Sequence, residues 1–107
     1  MILKEDDIVY RMYQIQPYSY QQALKLGVKI KPSKNPLKKI DVYDWNNQFI
    51  CSIGAKKNNK YYGDYPTYLK THGKEYAEQR RRLYKIRHRR DRNNLGSAGY
   101  YADNILW

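Results

Sequence analysis

The stretch RRRLYKIRHRRDR, at residues 80–92, constrains the fold of this 107-residue chain more than any other feature of its sequence. It contains seven of the eight arginines, together with Lys85, His88 and one acid, Asp91. Like charges three and four residues apart destabilise an isolated helix, because they lie side by side on its surface. The fold must therefore bring acidic groups to this segment, or the segment must meet a polyanion outside the chain.

The segment nevertheless has the pattern of a helix, which we predict over residues 74–92. Glu75 and Glu78 fall in its first turns and the arginines towards its end, the order that the helix dipole favours. A narrow apolar seam is expected to face the protein interior, while the rest of the circumference is basic. The seam consists of Tyr76, Leu83 and Ile86, with Ala77 and Tyr84 beside them.

The use of arginine here is selective, because residues 1–79 contain twelve lysines and only one arginine. A charged helix face is usually no more than a solvated surface. Guanidinium groups, however, form bidentate contacts with phosphates and carboxylates and stack on tyrosine rings. We therefore predict a surface that binds nucleic acid or another anion. Its candidate residues are Arg80, Arg81, Arg82, Lys85, Arg87, His88, Arg89, Arg90, Arg92, Lys56, Lys57 and Lys60.

Composition also indicates a polyanionic partner. The net charge is +11, and residues 55–107 hold thirteen basic residues against five acids. Uneven positive charge of this kind is typical of proteins that contact nucleic acid, an anionic membrane or an acidic protein. A membrane is the least favoured of these, because no apolar run is long enough to span a bilayer. The single cysteine, Cys51, fits synthesis in a reducing compartment.

The aromatic content indicates a small core and a large tyrosine-lined surface. The chain has thirteen tyrosines and one phenylalanine, and tyrosine combines a stiff apolar ring with a polar tip that suits wet grooves and interfaces. Tyr61, Tyr62 and Tyr65 are candidates for stacking on unpaired bases. The alternative is that these rings are packing material for a small domain.

The predicted fold class is α+β, with an N-terminal arm and short helix in residues 1–37 and a basic domain in residues 38–107. Residues 5–16 fit either a strand or an irregular arm. The stretch PYSYQQALKLG, residues 17–27, predicts a helix with Ser19 as its N-cap and Gly27 at its end.

A β-hairpin at about residues 38–54 is the clearest local prediction. Asn46 and Asn47 are suited to a two-residue turn, since asparagine tolerates positive φ. Gly54 ends the second strand, and Phe49 is expected on the apolar face. The pairs across the hairpin are then Val42 with Cys51 and Ile40 with Ile53.

The C-terminal third is expected to be helical with breaks. Pro66 begins a helical turn that Gly73 stops, and the main helix is broken at Gly96 and Gly99. A further turn of helix then docks the closing ILW, residues 105–107, because three large apolar side chains are unfavourable in water.

Neither a metal site nor a cofactor is predicted. One cysteine and two histidines do not supply a structural zinc site, and no carboxylate spacing indicates calcium. The enzymatic alternative is a nuclease that uses His88, an acid such as Asp64 or Asp91, and one of the three candidate tyrosines. Tyrosines are so frequent that such a set arises by chance, so we predict that the chain is not an enzyme.

Four ordered blocks, KKIDVYD…FICSIGA, YGDYPTYL, RRRLYKIRH and GSAGYYADNILW, resemble a family of small basic proteins, largely uncharacterised, of large DNA viruses and some phages. The resemblance covers residues 38–107. It implies that Asp64 and Tyr65 form a loop corner, that Arg87 and His88 lie at the helix core, and that Trp107 is a buried anchor. It further implies that Asp64 pairs with one of the arginines.

Two functions follow from these observations. The first is a minor, non-enzymatic virion component, made in the host cytoplasm, that contacts coat protein and/or packaged DNA. The second is a protein of the infected cell that binds DNA or RNA without sequence specificity. Acidic or tyrosine side chains around residues 80–92 would favour assembly, whereas one continuous solvent-open face would favour nucleic acid.

Overall fold

The computed structural model describes residues 12–57 and 60–107 and confirms the α+β class. Within these ranges the chain forms a three-stranded antiparallel sheet in the order β1-β2-β3, a short ladder of β4 with β5, and helices packed around them. The elements are α1 (Pro17–Leu26), β1 (Lys29–Pro32), β2 (Ile40–Tyr43), β3 (Phe49–Ile53), β4 (Lys56–Lys57), β5 (Lys60–Tyr61), α2 (Tyr65–His72), α3 (Lys74–Arg87) and α4 (Ala98–Ile105).

The predicted hairpin register is confirmed, with Ile40 opposite Ile53 and Val42 opposite Cys51. The predicted two-residue turn is wrong, because residues 44–48 connect the two strands. The Asp44 carboxylate closes this connection by accepting hydrogen bonds from the main-chain N–H groups of residues 46 and 48. The register also shifts after Val42, as in a β-bulge. The predicted burial of Phe49 is therefore wrong, since the shift leaves this ring exposed.

The N-terminal helix α1 begins earlier than predicted. Pro17 occupies its first turn, where a missing N–H costs little. The predicted capping role of Ser19 is wrong, because this side chain is buried and its Oγ donates to the Ile105 carbonyl at 2.8 Å. Gly27 ends α1 in the left-handed conformation as predicted.

The described part of the N-terminal arm shares one core with the basic domain. Tyr13, Ala23 and Ile30 belong to the same buried cluster as the sheet and the C-terminus. Residues 1–11, which include most of the segment predicted as strand or irregular arm, lie outside the described residues. Residues 12–16 form neither helix nor strand.

The basic helix is present, but α3 ends at Arg87 and residues 88–92 form turns instead. Ending the helix here shortens the run of like charges at helical spacing. The predicted inward seam is partly wrong. Ala77 and Tyr84 are buried, whereas the three seam residues Tyr76, Leu83 and Ile86 are all exposed. The half-buried Arg80 and Arg81 also lie on the inward side of α3, where their guanidinium groups meet the rings of Tyr68 and Tyr65.

A buried ion pair joins the sheet to α2. The Lys39 ammonium lies 2.8 Å from the Asp64 carboxylate, with side chains 2% and 1% exposed. The Tyr13 hydroxyl donates to the same carboxylate oxygen at 2.5 Å, and the other oxygen caps α2 through the N–H of Thr67. Gly54 makes room for the lysine, because a Cβ at this position would lie 2.6 Å from Lys39 Cγ.

This pair corrects the expectation that Asp64 binds an arginine. Burial lowers the pKa of Lys39, and the neighbouring carboxylate of Asp64 opposes that shift. Burial and the Asp64 charge together raise the pKa of the Tyr13 hydroxyl, which therefore stays a hydrogen-bond donor at neutral pH.

The C-terminus is docked as predicted. Ile105, Leu106 and Trp107 are all buried, and the Leu106 carbonyl accepts a hydrogen bond from the Tyr65 N–H at 2.9 Å. Gly96 has positive φ and precedes α4, but Gly99 lies inside that helix and does not break it. Among the described helices, none combines the length and apolar character that crossing a membrane requires.

We predict that Asp64→Asn lowers the free energy of unfolding by about 3–5 kcal/mol, because it leaves the Lys39 charge buried without its counterion. Urea unfolding followed by circular dichroism measures this loss. The matched control is Asp91→Asn, whose carboxylate is 68% exposed and whose removal is expected to change stability by less than about 1 kcal/mol. Equal effects of the two substitutions would contradict the structural role of the buried pair.

Candidate nucleic-acid interface

Two cations of α3 form ion pairs with carboxylates of the chain itself. Arg81 Nη2 lies 2.8 Å from Glu78 Oε1, and its guanidinium carbon lies 3.7 Å from the centroid of the Tyr65 ring. Arg81 Nη1 also donates to the main-chain oxygen of Trp107 at 3.3 Å. Lys85 forms a second ion pair of 2.8 Å, with Asp103 of α4.

The Glu78 carboxylate organises this contact. It accepts hydrogen bonds from the Tyr65 hydroxyl at 2.7 Å and from Arg81, and these two bonds hold its pKa below the usual value. Arg81 therefore joins α2, α3 and the C-terminus, and its charge is already neutralised by the fold. Arg81 and Lys85 leave the set of predicted residues that are open to an external anion.

The prediction that Tyr65 stacks on a base is wrong for a geometric reason. The ring is only 7% exposed, with the Arg81 guanidinium over one side and Tyr18 at 5.3 Å. Tyr61 is half-buried, packing edge-on against Tyr13 at 5.5 Å, with the Lys56 ammonium 5.3 Å from its ring centroid. Of the three candidate tyrosines, Tyr62 alone is exposed, at 52%.

A second set of arginines is open to solvent. Four side chains at the end of α3 and in the following turns are exposed, and within residues 12–57 and 60–107 none of them forms an ion pair or a side-chain hydrogen bond. We call this set the open arginine surface; it comprises Arg82, Arg87, Arg89 and Arg90. Arg92 is half-buried, and its Nε has no partner among the described residues.

The predicted lysines lie on the β4–β5 ladder. Lys56 is paired with Tyr61 and Lys57 with Lys60 across the two strands. Lys60 is exposed. The ladder leads directly into Tyr62 and Gly63, which face the end of α3 across a cavity.

That cavity, which we call the aromatic cleft, has a volume of about 650 Å³. It lies between residues 52–55 at the end of β3, residues 62–63, the second half of α3 and the beginning of α4. Three cationic side chains without a carboxylate partner among the described residues line it, Lys38, Arg80 and Arg87, and so do His88 and the acid Asp91. The aromatic residues that line it are Tyr62, Tyr68, Tyr84 and Trp107.

A stack of three rings forms one wall of the aromatic cleft. Tyr84 lies between Trp107, at 4.4 Å and 9°, and His88, at 4.2 Å and 22° between ring planes. Burial, and then the charges of Asp103 and Asp91, raise the pKa of Tyr84 to about 12, so its hydroxyl is neutral near pH 7. The stack ties the end of α3 to the docked C-terminus.

The sequence indicates some residues of the aromatic cleft but not others. Arg80, Arg87, His88 and Tyr62 were all predicted, and the structure places them around the aromatic cleft. Lys38, Tyr68, Tyr84 and Trp107 were not assigned to a site. The spacing of Tyr84 and His88, one helical turn apart, was the available signal for the ring stack.

The residues of the nuclease alternative are divided between two places: Tyr62, His88 and Asp91 line the aromatic cleft, whereas Asp64 and Tyr65 are buried. Asp64 is engaged with Lys39, and Tyr65 is covered, whereas His88 lies 3.5 Å from Asp91 in the turn after α3. In the part of the chain that the structure describes, no group of three His, Cys, Asp or Glu residues is placed to hold a metal ion. Cys51 is half-buried, and burial raises the pKa of its thiol.

A scan against protein-family models and searches of curated proteins and of solved structures each found no match. The viral family inferred from the four blocks therefore stays a prediction.

Proposed function

We propose that this chain is a non-enzymatic protein that binds the phosphate backbone of nucleic acid through the open arginine surface. The observation that carries the proposal is the division of the arginine-rich segment. Arg81 and Lys85 have carboxylate partners within the fold, whereas Arg82, Arg87, Arg89 and Arg90 have none among the described residues. A polyanion relieves the repulsion among these four charges, which no carboxylate within residues 12–57 and 60–107 compensates.

The proposed contact is made to phosphates and so carries no sequence preference. Phosphate contacts position a protein on nucleic acid, while specificity comes from base edges and from the shape of the duplex. Arginine suits the task because its guanidinium meets two phosphate oxygens at once and remains charged at every physiological pH. Binding of this kind is driven largely by counterion release, so it depends strongly on salt.

We predict that the affinity for duplex DNA falls steeply with salt and that Arg82→Gln/Arg89→Gln/Arg90→Gln weakens it equally for duplexes of different sequence. Each lost phosphate contact is expected to reduce the slope of log affinity against log salt by about 1. Fluorescence anisotropy over a series of salt concentrations measures both quantities.

The matched control removes three exposed lysines from the other half of the chain, in Lys25→Gln/Lys31→Gln/Lys34→Gln. It has the same change in net charge and is expected to keep most of the salt slope. The proposal is wrong if the lysine variant loses as much slope as the arginine variant, or if the wild type shows no binding at low salt.

A second candidate function is a contact with coat protein in a virus particle, as the sequence resemblance implies. One structural observation favours a protein partner. Tyr76, Leu83 and Ile86 are exposed on α3 and lie near one another along the helix, which gives it an apolar strip that a protein surface would cover. We expect mass spectrometry of purified particles to detect the chain, and its consistent absence from them would exclude this function.

A further inference from the structure

We infer that the aromatic cleft binds one nucleotide unit, with the phosphate held by Arg80 and Arg87 and the base stacked on Tyr62. The inference rests on the proposed function for the class of ligand, and it adds a defined binding site to a surface that otherwise recognises only charge. The open arginine surface and the aromatic cleft share Arg87, so a strand bound on the surface can place one nucleotide in the cleft.

Arg80 is the first observation that points to an anion. Its Nε is buried and has no hydrogen-bond partner among the described residues. Its guanidinium carbon lies 5.8 Å from the centroid of the Tyr68 ring, so an aromatic ring holds the cation without neutralising it. A buried donor without a partner is destabilising. A phosphate in the aromatic cleft supplies the counter-charge that this guanidinium lacks among the described residues.

The charge of the aromatic cleft favours the same ligand. Lys38, Arg80 and Arg87 line it and have no carboxylate partner within residues 12–57 and 60–107. The acid in the lining, Asp91, lies 3.5 Å from His88 and points to that ring. The buried Lys39 also borders the cavity, but its charge is matched by Asp64. A ligand with one or two negative charges therefore fits this lining better than a neutral one.

Tyr62 indicates that the ligand also has a flat face. The ring is 52% exposed at the edge of the aromatic cleft, and within the described part of the chain no other ring or cation packs against it. The other aromatic residues of the lining are engaged with one another or with His88. Stacking on a tyrosine accepts every base, because every base has a flat π-face.

The size of the aromatic cleft is consistent with this ligand. Its volume of about 650 Å³ lies within the range of roughly 300–1,000 Å³ that is typical of small-ligand pockets. A base that enters it must be unpaired, because bases in a duplex stack only on their neighbours. We therefore expect single strands to bind more tightly than duplexes of the same length, with the difference arising from the aromatic cleft.

Titration of the full chain with adenosine monophosphate, inorganic phosphate and adenosine, followed by calorimetry, tests the inference. The monophosphate is expected to bind at least about tenfold more tightly than either half of the molecule, since phosphate and base each add contacts. Arg80→Gln and Tyr62→Ala should each weaken its binding about tenfold. Circular dichroism verifies that both variants are folded.

Two matched controls separate the site from general charge and from loss of packing. Arg82→Gln removes an exposed guanidinium of the same helix that lies outside the lining of the aromatic cleft, so it should weaken binding of the monophosphate by less than about twofold. Tyr62→Phe keeps the stacking ring and should recover most of the affinity that Tyr62→Ala loses. Equal loss in Arg80→Gln and Arg82→Gln, or equal affinity for the monophosphate and inorganic phosphate, would overturn the inference.

Comparison of a thymidine decamer with a duplex distinguishes a strand from a free nucleotide as the source of the unit. Loss of single-strand preference in Tyr62→Ala supports a strand, whereas binding of the monophosphate with no strand preference supports a free nucleotide.

The proposed function and this inference can fail independently. If the chain binds the monophosphate but no duplex, the proposed function of the open arginine surface is wrong and the site in the aromatic cleft is supported. If the chain binds duplexes with a salt-dependent affinity but does not bind the monophosphate, the inferred site in the aromatic cleft is wrong and the proposed function is supported.

Discussion

The buried pair of Lys39 and Asp64 is the interaction on which the rest of this structure depends. It joins the first strand of the hairpin to the N-terminus of α2, and the same carboxylate also holds Tyr13 and caps the helix. Two charges this deeply buried are costly unless they are paired and hydrogen-bonded. The pair fixes the relative positions of the three segments that carry Tyr13, Lys39 and Asp64. This matters in a chain whose aliphatic core is small.

This arrangement determines what the arginine-rich segment does. Once α2 is fixed, α3 packs beside it with Arg81 over Tyr65 and against Glu78, so this half-buried arginine is paired within the fold. The neighbouring Arg82 lies about 100° further around the helix, on the side that is exposed to solvent. One sequence feature thus serves two purposes, stabilising the fold on one side and presenting positive charge on the other.

Local sequence patterns predict much of the fold, but they do not indicate which side chains contact one another in it. The hairpin register follows from alternating apolar residues around Val42, because strand periodicity is local. The bulge that exposes Phe49 depends on the hydrogen bonds of Asp44, which alternation does not record. Leu83 and Ile86 look like an inward seam by hydrophobicity, and only the contact of Arg81 with Tyr65 reveals which face is buried.

The candidate site shows the same limit. Its basic residues are evident in the sequence, but the aromatic cleft gathers residues from β3, the segment after β5, α3 and the C-terminus. Segments that are distant in the chain meet only through tertiary packing. The pairing of Asp64 with Lys39 also does not follow from the sequence. The chain contains many cations, and the sequence does not indicate which of them is buried beside this aspartate.

The most direct measurement compares two adjacent substitutions, Arg81→Gln and Arg82→Gln, for both urea unfolding and the salt slope of DNA binding. If the segment is divided as described, Arg81→Gln lowers stability by about 1–2 kcal/mol, since partial exposure weakens its charged hydrogen bonds, and it keeps the slope. Arg82→Gln changes stability by less than about 0.5 kcal/mol and reduces the slope by about 1. Similar effects of the two substitutions on both measurements would contradict the account.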